Sequence, residues 1–308
     1  MISRIMLSSA GKARSTGARP STLRGLTFAL LLAGVGLAAS PRAAAQDDEV
    51  MLPEQSAAKA KQILQLAIEG LGGATYLNVR DVTCEGRLAQ FGHSGDLNGP
   101  PVHFVDYSQP PFKDRTENLP KRNIIEVFNG DKGWKLDRGG VSEATITDLA
   151  TSEEDTKKDI DNILRHRIHE PGMIFRYAGP DVVDYQEADW VELVDSDNRT
   201  IRIAIARDTH LPIRKVVDTR SANTRMRTEE VEFYSNYQPI DGIETPFQIT
   251  RQRNGIKMYQ VFFDKYAYNT GLSDSLFTRE SLEERWAKVG KKDKKSKDNS
   301  SAKNNDKN

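Results

Sequence analysis

Two histidines, His166 and His169, lie three positions apart in a segment whose apolar residues have helical spacing. Residues at i and i+3 share one face of a helix, so the two imidazoles could bind a metal ion together. A metal site also needs a third ligand and groups that orient the first ones. Glu170 points about 100° away around the helix, and Arg165 and Arg167 would repel a cation. The sequence therefore does not predict a metal site here.

Cys84 is the only cysteine of the chain. A thiol can act as a nucleophile or as a metal ligand, so its surroundings decide its role. Alternation in Val82-Thr-Cys-Glu-Gly-Arg-Leu88 puts Val82, Cys84 and Leu88 on one face of a strand. A thiol on an apolar strand face stays protonated and unreactive. We therefore predict a buried structural cysteine, and a single cysteine forms no intramolecular disulfide.

Other stretches that resemble reactive sites lack essential residues. The loop 129–133, Asn-Gly-Asp-Lys-Gly, lacks the residue order and the following helix of a phosphate loop. Residues 195–198, Asp-Ser-Asp-Asn, lack the glycine and the distal glutamate of a calcium loop. Carboxylates are scattered, and neither a Gly-x-Ser-x-Gly nor a His-Glu-x-x-His motif occurs. We therefore predict a protein that is not an enzyme and uses no cofactor.

The elements that would position these residues form an antiparallel sheet with helices on one side. One helix is predicted from Pro53 to Leu71 and a second from Glu153 to Arg176, kinked or split at Pro171-Gly172. Strands are predicted at residues 82–91, 102–107, 123–128, 134–137, 190–194, 201–206, 212–218, 228–234, 247–253 and 256–268. Short strands joined by turns such as Asn254-Gly255 are typical of meanders. The expected fold class is mainly β (α+β), with a single large curled antiparallel sheet, an unclosed β-barrel, covered by two or three helices.

A curled sheet that is incompletely filled would enclose an apolar cavity on its inner face. The aromatic and aliphatic candidates for the lining of this cavity are Phe104, Ile125, Val127, Trp134, Ile203, Ile205, Val231, Phe233, Phe247, Ile249, Tyr259, Val261 and Phe263. The alternative is that these side chains pack the core against the helices. Apolar strand faces without catalytic residues favour a binding protein over an enzyme.

Residues 1–45 have the three parts of a secretory signal peptide. Five basic residues and no acidic one precede the apolar run Leu26–Leu37, and Ala43-Ala44-Ala45 comes directly before Gln46. This run is too short to span a bilayer comfortably, and a retained membrane anchor is the alternative. Because no cysteine follows the small residues, we expect an exported protein that is soluble in the periplasm and not lipid-anchored. Nucleotides are scarce there, so a nucleotide partner is not expected.

The net charge of zero conceals an uneven distribution of charge. Residues 1–45 carry six basic residues, and residues 290–308 carry seven lysines and three aspartates, so the body, residues 46–289, has a net charge of −10. An acidic body argues against nucleic acid as a partner. The Lys-rich stretch 290–308 contains one apolar residue, Ala302, and is predicted to be a disordered tail. The body lacks a linker and a repeat, which indicates a single domain.

Seven short motifs follow one another along residues 55–280. They are Gly72-Gly73, Cys84–Leu88, Pro111–Arg115, Phe128–Trp134, Asp208–Arg214, Asp241–Pro246 and Asn269–Phe277. In this order the chain resembles the bacterial outer-membrane lipoprotein-sorting family, the LolA/LolB-like superfamily. The resemblance implies an unclosed antiparallel barrel with a helical lid, whose cavity shelters acyl chains. The carrier of this family has an arginine that controls the release of the lipoprotein. The resemblance does not assign this arginine to one position here, and Arg87 and Arg115 are the candidates.

The expected function is a periplasmic carrier that binds the acyl chains of lipoproteins or other lipids and transfers them toward the outer membrane. Its partners would be lipid or lipoprotein cargo and membrane-associated donor and acceptor proteins. The first helix and the segment 153–176 would form the lid. A non-catalytic interaction or sensor domain of the same fold is the first alternative, and a hydrolase with an unrecognised site is the second.

Overall fold

A computed structural model describes residues 51–220 and 225–288. The predicted signal peptide and the predicted Lys-rich tail lie outside the described residues. The helices are α1 (Pro53–Leu71), α2 (Gly73–Leu77), α3 (Ile146–Lys158) and α4 (Ile160–Arg165), with short 3-10 turns at Arg167–His169 and Asp274–Phe277. Residues 279–288 are also helical. The strands are β1 (Val82–Gln90), β2 (Val102–Gln109), β3 (Lys113–Asn118), β4 (Ile125–Asn129), β5 (Lys132–Asp137), β6 (Gly140–Glu143), β7 (Ile174–Val183), β8 (Gln186–Val194), β9 (Thr200–Ala206), β10 (Pro212–Arg220), β11 (Arg227–Ile240), β12 (Ile243–Arg253) and β13 (Ile256–Tyr268).

All of the described strands belong to one antiparallel sheet of 13 strands. Its order is β6-β5-β4-β3-β2-β1-β13-β12-β11-β10-β9-β8-β7, so two meanders meet where β1 pairs with β13. The edge strands β6 and β7 do not pair with each other, and the sheet is not closed into a barrel. The predicted fold class, a large curled and unclosed antiparallel sheet, is confirmed. None of the described helices is both long enough and apolar enough to span a membrane.

Two-residue turns fix the register of the central strands. Asn254 and Gly255, which join β12 to β13, have φ angles of 50° and 77°. Asp241 and Gly242, which join β11 to β12, have φ angles of 51° and 80°. Left-handed conformations at both positions give the turn whose twist matches the twist of paired strands. The predicted turn at 254–255 is therefore confirmed, and the turn at 241–242 has the same form.

The inner face of the sheet, the face that packs against α1 and α4, contains most of the apolar core. Helix α1 has the predicted bounds, because Pro53 suits a first turn and Gly72 ends the helix at a φ of 126°. The buried stripe of α1 packs against residues of β8 and β9. The helix contributes Ala60, Leu64, Ala67 and Ile68, and the strands contribute Val191, Leu193, Ile201 and Ile203. Each fully buried Leu or Ile side chain contributes about 1.5–3 kcal/mol.

The opposite, outer face of the sheet is covered near β4 and β5 by the C-terminal segment. Ile125, Val127 and Leu136 pack there against Phe277 and Leu282, which lie in a 3-10 turn and in the helical residues 279–288. We did not predict this second apolar layer from the sequence.

The prediction of a second helix from Glu153 to Arg176, kinked or split at Pro171-Gly172, was wrong in its bounds and in the place of its break. The segment instead contains α3 and α4, and residues from Ile174 onward form strand β7. Thr145 begins α3 seven residues or more before the predicted start, because its side chain and that of Asp148 form a capping box. Asp159 has an extended conformation and its carboxylate accepts a hydrogen bond from the Asn162 amide, which begins α4.

Three strands were missing from the prediction: β3, β6 and β7. Strand β3 has the sequence Lys-Asp-Arg-Thr-Glu-Asn, and four of its six residues are buried. Its charges are paired inside the structure, with Arg115 Nε 2.6 Å from Glu117 Oε1 and Thr116 Oγ1 2.6 Å from Asp106 Oδ1. Polar residues that satisfy one another do not produce the apolar alternation that marks a half-buried strand.

Candidate ligand-binding cavity

A cavity lies on the inner face, between the helices and strands β1, β10, β11, β12 and β13. It has a volume of about 720 Å³, including the space at its open mouth. Its apolar wall consists of Leu71, Val82, Cys84, Ile160, Ile243 and Ile249. Helices α1 and α4 and strands β1 and β12 therefore contribute to one apolar surface.

Five tyrosines form a second part of the wall: Tyr76, Tyr234, Tyr237, Tyr266 and Tyr268. Four of their hydroxyls have partners in the protein. Tyr76 donates to Asp161 Oδ1 at 2.8 Å, Tyr234 to Glu232 Oε2 at 2.6 Å and Tyr237 to the Pro212 carbonyl at 2.6 Å, and Tyr268 bonds with Thr245 Oγ1 at 2.8 Å. These bonds fix the orientation of the rings that face the cavity.

Tyr266 differs from the other four tyrosines. Its ring contacts Phe263 at 4.8 Å, Phe247 at 5.5 Å and Tyr268 at 6.1 Å between centroids. Within the described part of the chain, its hydroxyl has no hydrogen-bond partner. The Tyr266 hydroxyl is therefore the phenol in this wall that can bond a ligand without breaking an existing bond.

Buried charges lie beside the cavity, beneath α3. Lys215 is 2% exposed, and its Nζ lies 2.6 Å from Glu232 Oε2 and donates to the Lys158 carbonyl. Arg251 Nη2 lies 2.7 Å from Glu230 Oε2 and 3.3 Å from Asp155 Oδ1 in α3. These ion pairs attach α3 to the sheet through charges, since the buried residues of α3 are Ser152, Asp155 and Thr156.

The buried carboxylates of this network have shifted pKa values. Burial by itself raises the pKa of Glu232, but Lys215 and Arg251 outweigh this effect and hold the pKa at about 2. Burial likewise opposes ionisation of Glu230, and its cationic neighbours, with Arg251 first, hold its pKa well below the usual range. Burial raises the pKa of Asp155, because its cationic neighbours only partly compensate.

We expect the free energy of unfolding to fall as the pH is lowered from about 4.5 toward 2. The folded pKa of Glu232 lies below its ordinary value of 4.5, so its contribution to stability is complete above that value and is lost on acidification. The loss should be on the order of 2–3 kcal/mol, partly offset by Asp155, whose pKa is shifted in the opposite direction. Urea unfolding at a series of pH values measures it. Glu232→Gln should have a flatter pH profile, and an equally steep profile would contradict the assignment.

The thirteen cavity candidates predicted from the sequence lie on both faces of the sheet. Eight are on the inner face: Phe104, Ile203, Ile205, Phe247, Ile249, Tyr259, Val261 and Phe263. Of these, Ile249 lines the cavity, and the others pack in the two inner clusters. The remaining five are on the outer face: Ile125, Val127, Trp134, Val231 and Phe233. Ligand binding by the thirteen residues stays a prediction.

The tyrosines of β13 were missed because of a β-bulge. Phe263 pairs with Gly86, whereas Lys265 pairs with Glu85, so Asp264 is an extra residue in β13. Simple alternation from Phe263 would put residues 265 and 267 on the inner face. The bulge instead turns Tyr266 and Tyr268 inward, and no residue pattern in the sequence marks that shift.

The other candidate reactive residues occupy different places. Cys84 is 2% exposed in the cavity wall, and burial raises the pKa of its thiol well above the ordinary value, as predicted for a buried cysteine. Arg87 and Arg115 both lie on the outer face, where they pair with Asp264 and Glu117. Within the described residues, no group of three or more potential ligands is arranged to hold a metal ion.

Comparisons with known proteins relate this chain to solved structures by fold. No protein-family model matches the sequence, and no curated protein is similar to it. A DUF1329 family protein from Desulfovibrio piger has a TM-score of 0.52 at 17% identity, over 72% of this chain and 98% of that one. A solved structure described as an outer membrane lipoprotein-sorting protein domain, from Vibrio parahaemolyticus, has a TM-score of 0.50 at 11% identity. The match covers 73% of this chain and 99% of that one. The LolA-like fold implied by the order of motifs is confirmed.

Proposed function

We propose that this protein is a periplasmic carrier that binds the acyl chain of a lipid or lipoprotein in the inner-face cavity. The observation that carries this proposal is the apolar wall of the inner-face cavity, which is formed by Leu71, Val82, Ile160, Ile243 and Ile249. A lipoprotein-sorting domain with the same fold supports it. We propose further that the protein is exported by residues 1–45 and acts without catalysis.

The physical need for such a cavity follows from the cost of exposing an acyl chain to water. Each buried methylene is worth about 0.8 kcal/mol, so a chain crosses an aqueous compartment only when its surface is covered. The apolar side chains of the cavity can cover it without chemistry. Release then requires that the cavity open, and membrane-associated donor and acceptor proteins would be the partners that favour the closed and open states.

We propose that α3 and α4 form the movable part of the lid, together with the end of α1. Asp159 and Ile160 of the α3–α4 segment and Leu71 of α1 line the cavity. Helix α3 buries polar side chains and is held by ion pairs, so its departure from the sheet exposes little apolar surface. Opening at α3 therefore has a lower hydrophobic cost than opening at α4, whose Ile163 and Leu164 are buried in the inner core.

Ile160→Asn should weaken the binding of a neutral amphiphile with a dodecyl chain by about tenfold, because it removes apolar surface worth about 1.5–3 kcal/mol when buried. The test is native mass spectrometry of the exported protein, with a neutral dodecyl ether of polyethylene glycol as the added probe. Endogenous cargo would appear as a bound species with the mass of an acyl-containing lipid.

Ile146→Asn is the matched control for this variant. Ile146 and Ile160 are each the first residue of a helix, α3 and α4, but Ile146 is 87% exposed and lies outside the cavity wall. The control should bind the probe like the unaltered protein. No uptake by the unaltered protein, or equal binding by both variants, would contradict the carrier proposal and favour an interaction domain.

A further inference from the structure

Four connections between strands lie side by side at one end of the sheet, because neighbouring strands are antiparallel. They join β1 to β2, β3 to β4, β5 to β6 and β12 to β13, at residues 91–101, 119–124, 138–139 and 254–255. The C-terminal helical residues end beside them, since Arg285 donates to the carbonyls of Lys121 and Arg122. We call these connections, the exposed strand residues directly beside them and residues 284–288 the basic rim.

Cationic side chains outnumber exposed carboxylates in the basic rim. The cations are Lys121, Arg122, Arg138, Arg253, Arg285 and Lys288, and the exposed carboxylates are those of Asp96, Asp137 and Glu284. Asp96 accepts a hydrogen bond from Ser94 Oγ at 2.8 Å, and Asp137 accepts one from the Gly139 amide at 2.7 Å. Positive charge is therefore concentrated at one end of a body whose net charge is −10.

Apolar side chains are exposed among these charges, and they are Leu97, Ile124, Ile256 and Trp286. The turns that carry them adjoin one another. Lys257 Nζ, beside the β12–β13 turn, lies 5.0 Å from the ring centroid of Phe91 at the start of the β1–β2 connection. A Cβ atom at Gly140 would lie 3.8 Å from the Trp286 ring. Tryptophan and aliphatic side chains beside cations are typical of protein surfaces that enter the interface of a lipid bilayer.

The negative charge elsewhere on the body does not prevent contact between this rim and an anionic surface. Strand β13 has 13 residues, and at about 3.3 Å per residue it spans about 40 Å. This length is several times the Debye length of about 8 Å at physiological ionic strength. Carboxylates at the far end of the strands are therefore screened from a surface that the rim contacts. The chain also continues from the rim into residues 290–308, which carry seven lysines and three aspartates.

We propose that the basic rim docks this protein on the surface of a bilayer that contains anionic phospholipid. The cations contact lipid phosphates, and the exposed apolar side chains enter the head-group region. This inference goes beyond the proposed function and does not depend on the cargo. The cavity lies toward the other ends of the strands, where Tyr237 of β11, Ile243 of β12 and Tyr268 of β13 line it.

Co-sedimentation of the full exported protein with vesicles at a series of lipid concentrations tests the charges of the rim. The protein should bind vesicles of phosphatidylglycerol and phosphatidylcholine in equal parts, more weakly as salt is added, and should not bind phosphatidylcholine alone. The double variant Lys121→Gln with Arg138→Gln should bind the mixed vesicles about 25-fold more weakly, since each basic residue at such a surface contributes about fivefold.

The matched control is Lys132→Gln with Arg80→Gln, which removes one lysine and one arginine from exposed positions at the other end of the sheet. This control should bind the mixed vesicles like the unaltered protein. Equal binding by the two double variants would assign the binding to residues 290–308 alone and overturn the inference. Absence of binding to the mixed vesicles, or equally tight binding to phosphatidylcholine alone, would overturn it as well.

A second pair of variants separates a bilayer from a soluble polyanion. Leu97→Gln should weaken binding to the mixed vesicles by about fivefold, whereas Leu77→Gln, at an exposed position outside the rim, should leave it unchanged. Equal binding by these two variants would favour a soluble polyanion and overturn the docking of a bilayer. The neutral dodecyl ether should bind all of these variants alike, so that a failure of docking and a failure of cargo binding are separate results.

Discussion

Replacement of Lys215 by methionine is expected to lower the free energy of unfolding by about 3–5 kcal/mol. Lys215 is 2% exposed, and its ammonium lies 2.6 Å from a carboxylate oxygen of Glu232, which is itself 6% exposed. Methionine preserves most of the volume of the side chain but removes the charge. Glu232 is then left buried with Arg251 as its remaining cationic neighbour, at 3.6 Å. The cost is that of an under-compensated buried charge rather than of lost packing.

Urea unfolding at neutral pH measures this effect, and two further variants interpret it. Arg87→Met removes an ion pair with Asp264 whose side chains are 49% and 43% exposed, and it should cost less than about 1 kcal/mol. The double variant Lys215→Met with Glu232→Gln removes both charges, retains an acceptor for the Tyr234 hydroxyl, and should recover most of the loss. Equal costs for Lys215→Met and Arg87→Met would show that the Lys215–Glu232 pair is not electrostatically insulated from solvent.

Elements that depend on short-range signals were predictable from the sequence. Helix α1 runs from Pro53 to Leu71 as expected, because a proline at its start and glycines after its end act within one turn. The same holds for the turn at Asn254-Gly255, where both residues adopt left-handed conformations. The overall antiparallel character followed from many such local signals in succession.

Elements whose stability depends on distant partners were not predictable. Arg115 of β3 donates to the Ser281 hydroxyl at 2.8 Å, across 166 positions of sequence. A polar strand is buried only because such partners are present, and a local pattern does not contain them. The predicted start of α3 was wrong for a different reason. Its cap at Thr145 is a local signal, but the helix has only a weak apolar stripe to mark it in the sequence.

The sequence predicted that a cavity exists on the inner face, but it did not predict most of the residues that line it. Its existence followed from an unclosed sheet with helices on one face, and Ile249 was among the predicted residues that line it. The tyrosines were missed because one bulged residue, Asp264, changes which side chains of β13 face inward. A shift of one residue exchanges the two faces of a strand, so site residues beyond a bulge cannot be read from alternation alone.

Replacement of Gly72 by alanine is expected to lower the free energy of unfolding by about 3 kcal/mol. Gly72 has a φ of 126°, a conformation that L-residues with side chains rarely adopt. A Cβ atom at this position would lie 2.4 Å from the carbonyl oxygen of Gly242, in the turn between β11 and β12. The backbone of that turn would have to move, since a carbonyl oxygen cannot rotate away like the end of a flexible side chain.

Gly73→Ala is the matched control for this position. Gly73 also has a positive φ, 56°, but a Cβ atom there would meet nothing within 4 Å. Its cost should therefore be limited to the conformational term of about 1–2 kcal/mol. Thermal and urea unfolding of the two variants compare a backbone clash with backbone conformation alone, and equal losses would contradict the proposed close approach to Gly242.

The same substitution should affect ligand binding more than its effect on stability implies. Gly72 lies between Leu71 and the helix that carries Tyr76, and both of these side chains line the cavity. Displacement of this junction would move two walls relative to β12, whereas Gly73→Ala leaves the junction in place. Titration with the neutral dodecyl ether should therefore show weaker binding for Gly72→Ala, at a temperature where both variants are folded. Unchanged affinity would mean that the end of α1 does not shape the binding site.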